Sequence, residues 1–392
     1  MDTNLGLKPK PTYFAYMREV YLDNAATTPM YPEAVEDMQD ILKDVFGNPS
    51  STHSFGRKAK SHLENARKEI GEILNCSSSE ICFTSGGTEA DNTAIKCAVN
   101  HLGVKNIITS KLEHKAVLDT AKLMEEMGLA KVFWIENDKE GKLDYEQLSY
   151  LAQTHDNCLI SLMHANNEIG TLNDLEIISR IGRESKSFVH SDTVQTVGHF
   201  PINLETLSLD FIAAAAHKFH GPKGVGFLYC NKNNKIKGLI TGGGQESRRR
   251  AGTENVAGIV GMVTALRNSV KNMEANAKQI RKMKDYLKVK LCSEVPDVQF
   301  FGDTSNNSLY TVLNIALPNR FDAAILPFQL DMNGICISSG SACNSGANKG
   351  SHVINALNVL PDHKPIRVSM SEFNSLEDLD YFIAVLKSLD LN

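Results

Sequence analysis

Short apolar runs alternate with amphipathic helical segments along the first 230 of the 392 residues of this chain. In the helical segment 56–74, for example, apolar residues recur at steps of three and four. Such alternation predicts an α/β fold, in which helices cover both faces of a mainly parallel sheet. The predicted strands are residues 80–84, 105–109, 131–134, 158–163, 188–191, 210–215 and 226–230.

The C-terminal part of the sequence has a different pattern. Helical periodicity dominates from residue 255 to residue 292, with Lys and Glu scattered on the polar side. A chain of this length is long enough for two domains. We therefore predict a large domain over residues 19–265 and a smaller domain over residues 266–392, which residues 1–18 would join.

Composition and charge argue against several classes of function. The net charge is −5, and the single basic run, residues 248–250, is too short to indicate nucleic-acid binding. No apolar stretch approaches the roughly 20 residues that span a bilayer, and residues 1–18 lack the apolar core of an export signal. Eight cysteines without a Cys-x-x-Cys pair suggest free thiols. We expect a cytoplasmic protein that binds neither nucleic acid nor membrane.

Four polar motifs follow predicted strands, where sheets of this kind bind ligands. Lys218 follows the sixth strand, where burial would disfavour its ammonium form and let it attack a carbonyl. Asp192 follows the fifth strand and Asn166 the fourth. Residues 84–91 (Thr-Ser-Gly-Gly-Thr-Glu-Ala-Asp) follow the first strand, and their glycines and hydroxyl groups suit a phosphate at a helix start.

Each motif alone has an ordinary structural alternative. Asp192 could be a helix N-cap, the glycine run a capped turn, and Asn166 part of a polar turn. Lys223 is an alternative for the reactive lysine. Together, however, the motifs supply partners for a ring nitrogen, a ring oxygen and a phosphate, and a lysine that forms a Schiff base. This combination indicates pyridoxal 5′-phosphate (PLP) as the cofactor, and we predict no metal.

Over about residues 21–383 the chain resembles the cysteine desulfurases of the NifS/IscS kind, PLP-dependent enzymes with the class V aminotransferase fold. The motifs that carry this resemblance are residues 21–29, 47–51, 84–92, 166–168, 192, 217–218, 242–255 and 338–343. The resemblance implies a mainly parallel sheet in the large domain, a smaller α+β domain and a homodimer.

The resemblance also implies which residues bind the cofactor ring. Lys218 would carry PLP as a Schiff base, and Asp192 would pair with the ring nitrogen. Asn166 and Gln195 would contact the ring oxygen, and Asn166 would also contact the substrate. His114 would stack on the ring and assist proton transfer, although without the resemblance it would be interpreted as a surface histidine at a helix start.

Further residues are implied for the phosphate and the substrate. Gly87, Thr88 and His217 would bind the phosphate, and Thr253 would reach it from the second subunit of the dimer. Arg367 would bind the carboxylate of the substrate through a bidentate pair.

Cys343 lies in residues 338–346, a run of small polar residues that predicts a mobile loop. A thiol on such a loop can reach a substrate and then an acceptor. The resemblance implies that the Cys343 thiolate takes the sulfur of L-cysteine, leaving L-alanine and a persulfide. The sequence does not identify the acceptor of the sulfur. Iron–sulfur assembly, with a scaffold protein as partner, tRNA thiolation and thio-cofactor synthesis all stay open.

Several positions depart from the family pattern. Ala215 stands where the family has a phosphate-binding Ser, which removes one hydroxyl donor. Ser247, Ser371 and Glu372 replace an Arg, a Gly and an Arg. We expect these changes to affect the choice of partner more than the reaction.

Two alternative functions remain open at this point. The first is a PLP-dependent aminotransferase or a selenocysteine lyase, because only cysteine-dependent sulfur transfer needs Cys343. The second is a non-catalytic paralogue that relays sulfur. Ala215 favours this second alternative, whereas the presence of Lys218 and Asp192 opposes it.

Overall fold

The computed structural model describes residues 18–322, 325–338, 351–357 and 363–390. Within these ranges it contains twelve β-strands and eleven α-helices. The strands are β1 (Val20–Tyr21), β2 (Ile81–Thr84), β3 (Asn106–Ser110), β4 (Lys131–Ile135), β5 (Cys158–Ser161), β6 (Phe188–Asp192), β7 (Phe211–Ala215), β8 (Gly226–Cys230), β9 (Gln299–Phe301), β10 (Val312–Pro318), β11 (Ile335–Cys336) and β12 (His363–Ser369). The helices are α1 (Pro32–Asp44), α2 (Ser54–Leu74), α3 (Gly87–His101), α4 (Lys115–Glu126), α5 (Tyr145–Thr154), α6 (Leu175–Ser185), α7 (Val256–Lys271), α8 (Met273–Glu294), α9 (Leu326–Asp331), α10 (His352–Ala356) and α11 (Leu376–Asp390).

Seven strands form the central sheet, in the order β2-β8-β7-β6-β5-β3-β4. β8 pairs antiparallel with both of its neighbours, and the other pairings in this sheet are parallel. All seven predicted strands are confirmed, with ends that differ by at most two residues. The predicted mainly parallel α/β fold is therefore confirmed.

Apolar side chains alternate between the two faces of this sheet. Ile108 and Ile212 pack in one core with residues of α2 and α7, whereas their neighbours Ile107 and Phe211 pack in another core with residues of α3 and α4. Successive side chains of a strand point to opposite faces, so a strand covered on both sides must be apolar throughout. This explains why the strands were visible in the sequence as continuous apolar runs.

A smaller body follows in the chain. An antiparallel sheet, in the order β12-β10-β9, packs with α8 and α11 around a separate hydrophobic core, which also contains Val20 and Leu22. β1 pairs in parallel with β11, so the beginning of the described chain contributes to this body. The boundary at residue 265 falls inside α7, which packs on α1 and α2. The division into residues 19–265 and 266–392 stays a prediction.

No helix in the described part of the chain has both the length and the apolar character needed to cross a membrane. The seven cysteines that the structure describes are free thiols, and four of them are buried. The predicted persulfide carrier, Cys343, lies outside the described residues, as do residues 1–17.

Candidate active site

A cavity of about 320 Å³ lies where β5, β6 and β7 end, beside the start of α3. The carboxyl ends of parallel strands meet at the same edge of a sheet, which brings side chains from separate parts of the sequence together. Eight of the predicted site residues line this cavity, namely Gly87, Thr88, His114, Asp192, Gln195, His217, Lys218 and Arg367.

Lys218 follows β7 in a single turn of 3₁₀-helix. Its Nζ donates hydrogen bonds to the carbonyl oxygens of Ala25 (2.6 Å) and Ala26 (2.9 Å). Nε2 of His199 donates to the carbonyl oxygen of Lys218 at 3.0 Å, which fixes the backbone of the turn. Lys223, the alternative reactive lysine, is exposed. The amino group that is held at the wall of this cavity is therefore that of Lys218.

Asp192 ends β6 with an almost fully buried side chain. Its Oδ1 accepts a hydrogen bond from the backbone N–H of Val194 at 2.9 Å. Burial raises the pKa of Asp192, and His114 and Lys218 act in the opposite direction. A buried carboxyl group in a cavity favours a cationic ligand, because ion pairing offsets the loss of hydration.

His114 is the N-cap of α4, and its Nδ1 accepts a hydrogen bond from the backbone N–H of Ala116 at 3.2 Å. The neutral imidazole therefore carries its proton on Nε2. Burial lowers the pKa of His114, with Asp192 as the largest opposing influence. His114 does start a helix, as in the alternative of a surface histidine, but its side chain lines the cavity.

Sequence analysis missed two buried carboxyl groups beside Asp192. Asp91 of α3 lines the cavity, and a carboxyl oxygen of Asp91 lies within 4.8 Å of ligand atoms of both Asp192 and His114. Glu113 accepts a hydrogen bond from the backbone N–H of Met163 at 2.7 Å. Burial, with the charge of Asp192 in addition, raises the pKa of Asp91 and of Glu113 well above the usual range. The sequence signal that could have identified Asp91 is its position on the apolar, buried face of α3.

The start of α3 forms a cradle for an anion. A Cβ atom on Gly87 would come within 2.5 Å of a methyl carbon of Val194, so this position has no room for a side chain. Thr88 and His217 line the adjoining cavity of about 470 Å³. Nδ1 of His217 is buried without a hydrogen-bond partner among the described residues, and burial lowers the pKa of His217 to about 4. Helix-start N–H groups and an unsatisfied ring nitrogen suit a phosphate.

Arg367 lies in β12 and faces the same cavity with a side chain that is only 3% exposed. One of its terminal nitrogens donates to Oδ1 of Asp23 at 2.9 Å, and the other donates to the carbonyl oxygen of Asn167 at 3.0 Å. Within the described part of the chain, Nε of Arg367 has no hydrogen-bond partner. The guanidinium therefore retains donors for a carboxylate ligand.

Asn166 is buried but does not line the cavity. Its Oδ1 accepts hydrogen bonds from the backbone N–H groups of Glu168 (2.8 Å) and Ile169 (3.0 Å), and its Nδ2 donates to the carbonyl oxygen of Leu112 at 2.8 Å. These bonds stabilise the turn after β5 and leave the neighbouring Asn167 at the cavity wall. These hydrogen bonds make Asn166 a turn residue, and its predicted contacts with the ring oxygen and the substrate stay predictions.

Gln195 lines the cavity, and its Nε2 donates to the carbonyl oxygen of Ala25 at 3.2 Å. Thr253 is exposed and lies outside the cavity of its own chain. Its predicted contact with a phosphate in the second subunit stays a prediction, and so does the role of Cys343.

The residues of the cavity fit the chemistry of PLP. Lys218 offers an amino group, Asp192 a buried carboxyl group for a pyridinium nitrogen, and the Gly87 helix start a set of N–H donors for a phosphate. The unsatisfied Nδ1 of His217 supplies a further partner for that phosphate. Ala215, which also lines the cavity, supplies none.

Comparisons with known proteins match nearly the whole chain to one family. The aminotransferase class-V family model matches residues 20–382. IscS, a cysteine desulfurase of Dictyoglomus turgidum, is 43% identical over 376 residues, which cover 95% of this chain and 94% of that protein. A solved structure of a NifS-like protein has a TM-score of 0.86 at 35% identity, with 95% of this chain and 99% of that chain covered. A structure of SspA in complex with cysteine has a TM-score of 0.79 at 30% identity, with 91% and 100% covered. This chain therefore belongs to the aminotransferase class-V family, in the group that contains the IscS and NifS-like cysteine desulfurases.

Proposed function

We propose that this chain is a cysteine desulfurase that converts L-cysteine to L-alanine and leaves the sulfur as a persulfide on Cys343. The observation that carries the proposal is the single cavity in which Lys218, Asp192 and Arg367 meet. The names of relatives that share most of the chain support the same reaction. A structure neighbour solved with cysteine supports the same substrate.

The proposed cofactor is PLP, which when bound would supply an electron sink for the negative charge at the α-carbon of the substrate. Lys218 would hold it covalently, and Asp192 and Gln195 would contact its ring. The remaining proposed ligands surround the phosphate and the face of the ring; they are Gly87, Thr88, His114, His217 and Thr253 from a second subunit.

Arg367 orients the amino acid by its carboxylate, and the amino group of Lys218 takes the α-proton. Cys343, as a thiolate, attacks the sulfur of the substrate. An S–S bond forms, the Cβ–S bond breaks, and the electron pair of that bond stays on the carbon, which becomes the methyl group of alanine. Lys218 returns its proton to the α-carbon. The former thiol carbon takes one proton, which balances the proton that the Cys343 thiol released on forming its thiolate, and His114 assists this transfer.

In the sequence, Cys343 lies between two described residues, Ser338 and Ser351, which are both held beside the cavity. Ser338 donates a hydrogen bond to Asp23 at 2.8 Å, and Ser351 donates to Glu168, which lines the cavity. Cys343 is five residues after Ser338 in the sequence. This closeness in sequence to a residue held beside the cavity supports Cys343 as the thiol that attacks the substrate.

The proposal includes a homodimer in the cytoplasm that passes its sulfur to an acceptor protein, such as an iron–sulfur scaffold. Phe46 and Phe55 support the dimer, because their rings lie 4.9 Å apart while 75% and 52% exposed. Exposed apolar side chains that cluster are typical of protein interaction sites. The exposed Thr253 would then lie beside the phosphate cradle of the partner.

Mass analysis of the protein after incubation with ³⁵S-labelled L-cysteine tests the proposal. The peptide that contains Cys343 should gain the mass of one sulfur atom, and alanine should form without an amino acceptor. Cys343→Ser should lose both, and Cys292→Ser, which removes an exposed thiol, should lose neither. Alanine formation at the normal rate by Cys343→Ser would contradict the proposal, and a requirement for an amino acceptor would indicate an aminotransferase.

A further inference from the structure

The partner of Arg367 is a residue for which the proposed reaction has no role. The guanidinium is nearly out of water, at 3% exposure, and the carboxylate that pairs with it within the described residues is that of Asp23. Asp23 is 18% exposed and belongs to the 21–29 motif. Because an unpaired buried cation is costly, this pair explains how Arg367 can be held in the wall of the cavity.

Asp23 is fixed by more than this ion pair. Its Oδ1 accepts hydrogen bonds from Arg367 at 2.9 Å and from the hydroxyl of Ser338 at 2.8 Å. The backbone N–H of Arg367 donates to the carbonyl oxygen of Ser338 at 2.7 Å, and the backbone of Asp23 pairs with that of Ser369. One carboxylate oxygen therefore joins three separate segments of the chain and sets the position of the guanidinium.

The charge of Asp23 lowers the affinity of the site for a carboxylate, whereas its hydrogen bonds raise that affinity by positioning Arg367. A carboxylate that binds Arg367 meets a cation that is already neutralised, and it brings a second negative charge close to the first. Like charges at such a distance repel, and the repulsion is strong where little water screens it. Geometry therefore favours the binding of a carboxylate, and charge opposes it.

We propose that Asp23 is a positioning residue and a built-in competitor at the substrate-carboxylate site. It holds Arg367 in place for the substrate, and its charge limits the affinity so that the amino acid and the product can leave. This inference rests on the proposed function only in that Arg367 binds the carboxylate of the substrate.

Two substitutions separate the two effects. Asp23→Asn keeps an oxygen that can accept from Arg367 and Ser338 but removes the charge, and Asp23→Ala removes both. The probe is 3-mercaptopropionate, measured by titration calorimetry on the PLP-loaded protein. It carries a carboxylate and a thiol but no amino group, so it cannot form a Schiff base with the cofactor.

We expect Asp23→Asn to bind the probe about 3- to 10-fold more tightly than the unmodified protein, because repulsion is removed. Asp23→Ala should bind it about tenfold more weakly, because the guanidinium loses its anchor. Asp378→Asn is the matched control: Asp378 pairs with Arg18 at 2.8 Å, neither residue lines the cavity, and affinity should not change.

The direction of the Asp23→Asn effect decides between this role and a merely structural one. A structural carboxylate would make both variants bind more weakly, so weaker or unchanged binding by Asp23→Asn overturns the inference. If Asp23→Ala does not fold, Asp23→Asn decides alone. Unchanged binding of the probe by Arg367→Gln would instead contradict the role of Arg367 in the proposed function.

Discussion

Two walls of the cavity are built in different ways. On the wall of the central sheet, Asp192 ends β6 and Lys218 follows β7, the adjacent parallel strand, so the strand order alone brings them together. On the other wall, Arg367 projects from an antiparallel strand and meets Asp23, which is 344 positions away in the chain. The first wall follows from local elements, and the second depends on contacts between distant segments.

This difference separates two kinds of chemistry. The sheet wall carries the groups that fit PLP, the proposed cofactor, and burial shifts the pKa values of Asp192 and His217 among them. The wall of the smaller body carries Arg367, the cation that we propose for the carboxylate of the substrate. We therefore expect a change in the sheet wall to leave binding of the substrate carboxylate intact, and a change in the wall of the smaller body to leave cofactor binding intact. The following experiments test that independence.

The largest effect should come from Lys218→Ala. Loss of the amino group would remove both the proposed covalent link to PLP and the proposed base, so turnover should fall by roughly four orders of magnitude. The visible absorption of bound PLP should change as well, whereas affinity for 3-mercaptopropionate should stay within about twofold. Steady-state kinetics, spectra and calorimetry measure the three quantities, and a large loss of probe affinity would show that the walls are coupled.

Arg367→Gln should produce the reverse pattern. Loss of a charge-assisted pair of hydrogen bonds costs about 2–3 kcal/mol, which corresponds to a rise in KM for L-cysteine of roughly 30- to 150-fold. The absorption spectrum of bound PLP should not change. Arg320→Gln, which removes a pair with Asp390 at the surface of the smaller body, is the control and should leave KM unaltered. Loss of the PLP band in Arg367→Gln would break the comparison.

A smaller effect is expected from His217 in the cofactor-free protein. Burial lowers the pKa of His217 to about 4, so below pH 6.5 the unfolded chain binds a proton that the folded protein does not. Stability is therefore complete above pH 6.5 and falls as the pH drops towards 4, by about 1 kcal/mol between pH 7 and pH 5.5. Urea unfolding of the protein and of His217→Asn at both pH values measures the contribution of His217 to the free energy of unfolding. The same loss of stability between pH 7 and pH 5.5 in both proteins would contradict the prediction.

The smallest effect should come from Ala215→Ser. Ala215 ends β7 beside the anion cradle, and a new hydroxyl donor to the phosphate is worth about 1 kcal/mol, or roughly a fivefold gain in PLP affinity. KM for L-cysteine should not move. Ala215→Cys adds a side chain of similar size with a weak donor and should gain little. An equal gain in both variants would attribute the effect to packing.

The sequence predicted the sheet wall well, because strands buried on both faces are continuous apolar runs and the polar residues that end them stand out. Asp91 and Glu113 were not predicted, because the residue type does not indicate the burial that raises the pKa of each carboxyl group. Asn166 and Asn167 are adjacent, and only the backbone of the turn decides which side chain faces the cavity. No spacing rule predicts that Asp23 pairs with Arg367.

The antiparallel direction of β8 has a consequence for how the protein folds. Because β7 and β8 are neighbours that run in opposite directions, Lys218 lies on a short return between two strands that pair directly. Contacts between residues that are close in sequence form quickly, whereas contacts across the whole chain require a large loop to close first. We therefore expect the turn that carries Lys218 to become ordered early in folding and the Asp23–Arg367 contact late, so that a chain still under synthesis could not yet bind the carboxylate of an amino acid at this site.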